Sequence, residues 1–362
     1  MIDFAAAYRG RRVLITGHTG FKGAWLALWL GELGAQVTGY SLPPPTTPSL
    51  FAAAAVAGRL RHVDGDVRVR ADLERTVRGA RPDVVFHLAA QSLVRESYRD
   101  PLTTMETNVI GTVNLLEAVR AAGAPCAVVV VTSDKCYDAS RPGPYREGDA
   151  LGGADVYSAS KAAAEIATAS YRRSFFPPER LADHGVAIAT ARAGNVIGGG
   201  DWAADRLVPD AMRALAAGET IAVRRPGAIR PWQHVLDPLA GYLTLGAALA
   251  SSSASERAAA AQAWNFGPDA RATRTVGEVL DAILAANGSG GWRDTGDPGP
   301  HETACLTLDS ARARRELAWA PRWGFERAIA ATVDWYRAYA GGADAAGLCA
   351  RQLIDYAGAA VA

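Results

Sequence analysis

A doubly wound parallel α/β sheet followed by a smaller mixed α/β domain is the fold this sequence predicts. Three observations carry it. Short apolar, β-branched runs alternate with amphipathic helical stretches from Arg11 to Ala191, the pattern of repeated strand–helix–strand units. The first run empties into a glycine loop that opens a helix. The run before Thr132 is wholly apolar and then turns polar, as a buried parallel strand does when it delivers side chains at its carboxyl end.

In order, Arg11–Thr16 is a strand, and Gly17-His18-Thr19-Gly20-Phe21-Lys22-Gly23 is a G-x-x-G-x-x-G loop before the helical run AWLALWLGEL. Glycines there permit a tight turn and close approach of backbone to a pyrophosphate, which the helix N-terminus attracts. Gln36–Tyr40 is the second strand. An acidic residue at its end selects the ribose of NAD and an arginine the 2′-phosphate of NADP, but the chain reads Tyr40-Ser41-Leu42-Pro43 and leaves that choice open. Leu60–Val67 is the third strand. Asp66 behind it suits either an adenine amine or the cap of the next helix. Asp83–Leu88 is the fourth, with His87 expected as a core histidine and the small residues Ala89 and Ala90 leaving room for a cofactor. Pro101–Ala122 reads as one long helix in which Asn108 supports a buried hydrogen-bond network.

The fifth strand leads to Ser133-Asp134-Lys135, and the following helix carries Tyr157 and Lys161 at i and i+4, on one face. Of 38 Lys+Arg residues only Lys22, Lys135 and Lys161 are lysine. Lysine offers a compact charge that burial can neutralise, whereas arginine stays protonated, so these positions are suspected of needing lysine chemistry. Gly185–Ala191 is the sixth strand, and the glycine-rich run from Asn195 to Gly200 lines a cleft. Arg230, beside Pro231 and Trp232, suits a phosphate. Ala247–Ala261 reads as a helix ending in a turn, and Trp264–Gly267 as a further short strand. Trp292, Trp319, Trp323, Trp335 and Tyr336 are expected mainly to pack the second domain.

Composition narrows the class. With 362 residues, 49% hydrophobic content and a net charge of +1, the chain supports large cores and gives no basic excess for nucleic acid. Four cysteines without C-x-x-C spacing predict neither zinc nor a disulfide framework. The longest apolar stretch, Ala24–Leu33, is too short to span a bilayer. No partner membrane, no metal and a reduced, cytoplasmic setting are therefore expected.

The glycine loop, Tyr157-x-x-x-Lys161 and Asn195 resemble the extended short-chain dehydrogenase/reductase family. The strings GYSLPPPTTPSLF, HLAAQSLVRESY, VTSDKCY and IRPWQHVLDPLAGYL resemble its CDP-glucose 4,6-dehydratase branch, over about Gly10 to Trp335. Relatives that act on dTDP-glucose usually carry Asp-Glu where this chain has Asp134-Lys135.

The resemblance implies a Rossmann-type domain at 1–191 with returning segments near 233–267, and a sugar-nucleotide domain at 192–232 and 268–362. It implies NAD as cofactor, set against Gly17, Gly20, Phe21, Lys22, Gly23, Asp66, Val67, Leu88, Ala89, Ala90, Asn108, Tyr157 and Lys161. CDP-glucose would lie against Ser92, Asn195 and Arg230, with His301 and Glu302 near the nucleotide. Tyr157 would be the base at the sugar 4-hydroxyl, its pKa lowered by Lys161, with Ser133 bonded to the same oxygen. Lys135 would take the C5 proton and Asp134 would protonate the departing C6 hydroxyl, giving a lyase overall. A homodimer through the helices at 101–122 and 157–175 is implied too. The alternatives are another sugar-nucleotide dehydratase or an epimerase of the same family, and a non-catalytic dinucleotide sensor.

Overall fold

The computed structural model describes residues 3–140, 143–269, 273–296 and 307–358. The chain forms β1 (Arg12–Thr16), β2 (Gln36–Ser41), β3 (Arg61–Asp64), β4 (Val84–His87), β5 (Cys126–Val131), β6 (Val186–Arg192), β7 (Asn195–Ile197), β8 (Ile221–Val223), β9 (Ile229–His234), β10 (Ala263–Asn265), β11 (Thr273–Thr275) and β12 (Trp292–Asp294). Seven of them make one sheet in the order β10-β6-β5-β4-β1-β2-β3, every pair parallel. The doubly wound prediction holds.

Side-chain alternation builds the layers. On β5, Ala127, Val129 and Val131 join one core with the Phe21–Glu32 and Leu236–Leu249 helices. Cys126, Val128 and Val130 join the other, with the Arg70–Ala80 and Gly111–Ala122 helices. Strands buried on both faces need apolar residues at consecutive positions, which is why these runs looked continuous in the sequence.

Two smaller sheets follow the large one and line the cavity at its carboxyl ends. The β11-β9-β7 sheet holds Asn195 and Arg230, the β12-β8 pair stands beside it, and Trp319, Trp323, Trp335 and Tyr336 are buried in the core beneath. Trp292 is half-buried on β12.

Several expectations change. The third strand ends at Asp64, before Gly65. The helix after it starts at Arg70 with Val69 as its cap residue, so Asp66 is no helix cap; its carboxylate takes the Arg68 guanidinium at 2.6 Å. The single helix over 101–122 is interrupted by a π-helical turn, Glu106–Ile110, that contains Asn108. The alanine-rich stretch does not simply end a helix: Ser253 caps a second one, Ala254–Ala260.

The Ala345–Gly358 helix is latched to the core through Asp237. Its Oδ1 accepts from Tyr356 Oη at 2.8 Å and from Arg322 N at 2.7 Å, while Oδ2 is buried without a partner among the described residues. Burial raises this carboxyl from 3.8 to about 6. The folded state thus holds the proton more tightly than the unfolded chain. The stabilisation present below pH 3.8 is lost as pH rises through about 6, on the order of 3 kcal/mol. Urea unfolding of Asp237→Asn is expected to give a flatter stability profile between pH 4 and 6 than the parent chain gives.

Candidate active site

One cavity of about 1090 Å³ lies along the carboxyl ends of the strands, beyond the ~300–1,000 Å³ of a single small-molecule site. Its floor begins at β1. Gly17 has φ of 79°, and a Cβ there would stand 2.6 Å from Ala89 N. A Cβ on Gly23 would stand 2.1 Å from Gly17 O. The loop and the first helical turn close on each other only as glycine. Gly20 caps that helix without a side-chain bond, so the first N–H groups remain for an anion.

The neighbouring wall comes from Asp66 and Val67 after β3 and from Leu88, Ala89 and Ala90 after β4. His87 does not reach the cavity. It bonds Thr16 Oγ1 at 2.7 Å and Thr112 Oγ1 at 3.1 Å, and burial pushes it down to about 3, making it the neutral core histidine expected. Asn108 also stands behind the wall. Its amide holds Gln91 N, Gln91 O and Ser160 Oγ at 2.8–2.9 Å. It does not line the cavity as a cofactor contact would; it fixes the loop that does, which agrees with the buried network read from the sequence. The π-turn is what brings it there.

β5 delivers the chemistry. Ser133, Asp134 and Lys135 leave it in a single 3₁₀ turn, Asp134–Cys136. Ser133 Oγ donates to Asp134 Oδ1 at 2.9 Å and accepts from Lys135 N at 3.2 Å. Gly194 leaves room for Asp134: a Cβ there would be 2.8 Å from Oδ2. Asp155 caps the Val156–Ser174 helix, which presents Tyr157 and Lys161 to the same space.

In the protein alone Tyr157 is not lowered. Burial pushes it up to about 12, against a hydrogen bond to Ser133, with Asp134 adding to the rise. Lys161 is brought down to about 8 by burial, opposed by Cys136 and Glu165. Lys22 also falls to about 8, through burial and then Arg206 and Lys161. Desolvation of the phenol outweighs the helical neighbour on which the sequence argument relied.

Glu165 went unread, although Tyr157, Lys161 and Glu165 sit at i, i+4 and i+8. Buried, it accepts from Thr132 Oγ1, from Thr190 Oγ1 at 2.7 Å and from Arg192 Nη2 at 2.8 Å. Arg192 Nη1 continues to Tyr137 Oη at 2.7 Å. This set ties β5, β6 and the helix behind the reacting groups.

Asn195, Arg230 and Ser92 line the remaining wall. Arg230 is buried on β9, with Nη1 on Ile229 O at 2.9 Å. Ser92 Oγ accepts from Arg206 Nη2 at 3.1 Å. The loop from Asp201 to Arg206, also unread in the sequence, forms the rim. All three lysines of the chain, Lys22, Lys135 and Lys161, face this one cavity. His301 and Glu302 lie outside the described residues. Cys126, Cys136 and Cys349 are free and buried. At the end of β2, Thr19 Oγ1 bonds Ser41 Oγ at 2.8 Å, so a hydroxyl and not a carboxylate is the side chain that β2 itself ends on.

Comparison with known proteins bears on this geometry. The model of the GDP-mannose 4,6 dehydratase family matches residues 14–332. The chain is 44% identical over 351 residues to a CDP-glucose 4,6-dehydratase of Salmonella typhimurium, covering 96% of this chain and 97% of that protein. It is 30% identical to a dTDP-glucose 4,6-dehydratase of Streptomyces griseus, over 90% and 93% of the two chains. Among solved structures, the dTDP-glucose 4,6-dehydratase DesIV of Streptomyces venezuelae with NAD bound superposes with a TM-score of 0.75 at 27% identity, covering 92% of this chain and 99% of that one. A UDP-glucose 4-epimerase of Thermus thermophilus in complex with NAD gives 0.74 at 25%, over 90% and 99%.

Proposed function

The chain belongs to the GDP-mannose 4,6 dehydratase family, and from that premise we propose how its residues carry out the dehydration of a sugar nucleotide. The reaction is the NAD-dependent conversion of CDP-glucose to CDP-4-keto-6-deoxyglucose and water, and the enzyme is a hydro-lyase. The observation that carries the residue assignment is the meeting of Ser133, Asp134, Lys135, Tyr157 and Lys161 in one cavity behind a glycine loop.

The cradle fits NAD. Gly17 and Gly23 let the loop pack backbone to backbone against Ala89 and the first helical turn, and Gly17, Gly20, Phe21, Lys22, Gly23, Asp66, Val67, Leu88, Ala89 and Ala90 line the space that would hold it. The bound cofactor supplies a hydride acceptor at the sugar C4 and the donor that later reduces C6. Tyr157 takes the 4-hydroxyl proton. Its phenolate is costly in this buried place, so the ammonium of Lys161 one turn away and the Ser133 hydroxyl offset that cost. Oxidation at C4 acidifies C5. Lys135 removes the C5 proton while Asp134 delivers one to the leaving C6 hydroxyl, which departs as water; a proton then returns to C5 as C6 is reduced. Ser92, Asn195 and Arg230 hold the sugar and its diphosphate.

Mass spectrometry after incubation with NAD⁺ and CDP-glucose, dTDP-glucose, UDP-glucose or GDP-mannose tests the reading. Loss of one water from CDP-glucose is expected. Loss from another donor alone overturns the base preference. No loss from any donor, with an isomer formed, makes the enzyme an epimerase.

A homodimer is part of the proposal. Leu102 is 68% and Ile166 57% exposed, with Tyr98, Ile110 and Phe175 also open, on helices that pack together. Exposed apolar residues on packed helices support an interface there, with a second copy completing a four-helix arrangement. Sedimentation velocity is expected to give a dimer for the parent chain and a monomer for Leu102→Asp with Ile166→Asp, both still binding NAD. A monomeric parent ends the idea. No helix among the described residues is long and apolar enough to cross a membrane.

A further inference from the structure

CDP-glucose differs from its thymidine and uridine counterparts chiefly at the base, and none of the residues assigned so far distinguishes them. We propose that Asp205 and Arg224, steadied by Arg95, read the Watson–Crick edge of cytosine. The inference rests on the sugar-nucleotide reading above.

Placement comes first. The cavity lining runs from Tyr157 in two directions. One passes over the glycine loop to Ser41 and Asp66 and takes the dinucleotide. The other passes Asn195 and Arg230 to the rim at Asp205 and the end of β8 at Arg224. A sugar nucleotide with its sugar at Tyr157 and its diphosphate at Arg230 sends its base to that rim.

The pair is built unlike an ordinary surface ion pair. Asp205 holds φ of 61°, a left-handed conformation uncommon outside glycine. Arg95 Nη1 at 3.0 Å, from the Val94–Arg99 helix, and Arg224 Nη2 at 3.4 Å, from the residue after β8, meet the same oxygen, Oδ1. Oδ2 accepts nothing from any described residue, and Nε and Nη1 of Arg224 donate to none. Free acceptor and free donors thus lie side by side, with the two side chains 30% and 35% exposed.

Cytosine needs that combination. Its N4 amine donates and its N3 and O2 accept, so the carboxylate takes N4 while the guanidinium serves N3 and O2; carboxylate acceptance from cytosine N4 is a known pairing. Uracil and thymine reverse both contacts. Their N3–H meets a guanidinium donor and their O4 meets a carboxylate, leaving polar groups unpaired on both sides. The site therefore selects by repelling the wrong base as well as by holding the right one.

Calorimetric titration of the NAD-saturated protein with CDP, UDP and dTDP tests this, because the shared diphosphate cancels in the ratio. The parent chain is expected to bind CDP roughly 100-fold tighter than UDP. Asp205→Asn keeps the left-handed backbone, which asparagine tolerates, and can turn its amide toward O4. It is expected to lower the CDP-to-UDP ratio by at least roughly 10-fold, with UDP affinity unchanged or improved. Arg224→Gln, carried beside it, is expected to lower the ratio as well. If either variant folds and weakens both nucleotides equally, the pair is only structural and the proposal is overturned, while water loss from CDP-glucose by the parent keeps the dehydratase reading intact. A parent that prefers UDP or dTDP overturns both.

Discussion

Lys135→Ala is expected to separate oxidation from elimination. In a single turnover with NAD⁺ and CDP-glucose, NADH should form and persist, while loss of water slows by about 10²–10⁴-fold, the usual contribution of a positioned base. The variant should fold normally, because the Lys135 amine bonds no described residue and only its backbone N–H is held, by Ser133 Oγ at 3.2 Å. Rapid-quench mass spectrometry, read beside NADH absorbance, supplies both quantities. Unslowed water loss removes Lys135 from the C5 step. Absent NADH moves its role forward to the oxidation.

Tyr157→Phe should stop the reaction one step sooner. The ring keeps its packing, so NAD binding survives. The hydroxyl that meets Ser133 is gone, and with it the only phenol placed beside Lys161 on that helix. No NADH should appear on the single-turnover time scale, and steady-state turnover should fall by about 10²–10⁴-fold. NADH accumulating as it does in the Lys135 variant would reassign the first proton transfer. The pair of experiments is informative together, since one variant should hold the oxidised sugar and the other should never make it.

Much of this was readable from residues in order. The glycine loop, the apolar run of β5 and the i, i+4 spacing of Tyr157 and Lys161 are local patterns, and local patterns fix strands, a loop and a helix face. What escaped depends on groups far apart in the chain. Asn108 was legible as a buried amide, but the π-turn that aims it at Gln91 and Ser160 was not, because the helical periodicity on either side is unbroken. The rise of Tyr157 to about 12 needs the whole closed pocket, since desolvation has no sequence signature. Asp205 belongs to an undistinguished run, Asp-Trp-Ala-Ala-Asp-Arg, and becomes visible only when helix 94–99 and β8 bring Arg95 and Arg224 to it. Glu165 is the exception: its spacing from Tyr157 and Lys161 was present to be read.

The confinement of all three lysines to the cavity makes the enzyme unusual as a material. An amine-directed acylating label has no surface lysine to consume it; apart from the chain's first amino group, every target is inside the cleft. Labelling stoichiometry then becomes a direct count of ligand occupancy, falling as NAD and sugar nucleotide cover the amines. The same fact warns against tethering the protein to a solid support through its lysines, since each such bond would be made at the expense of the site itself.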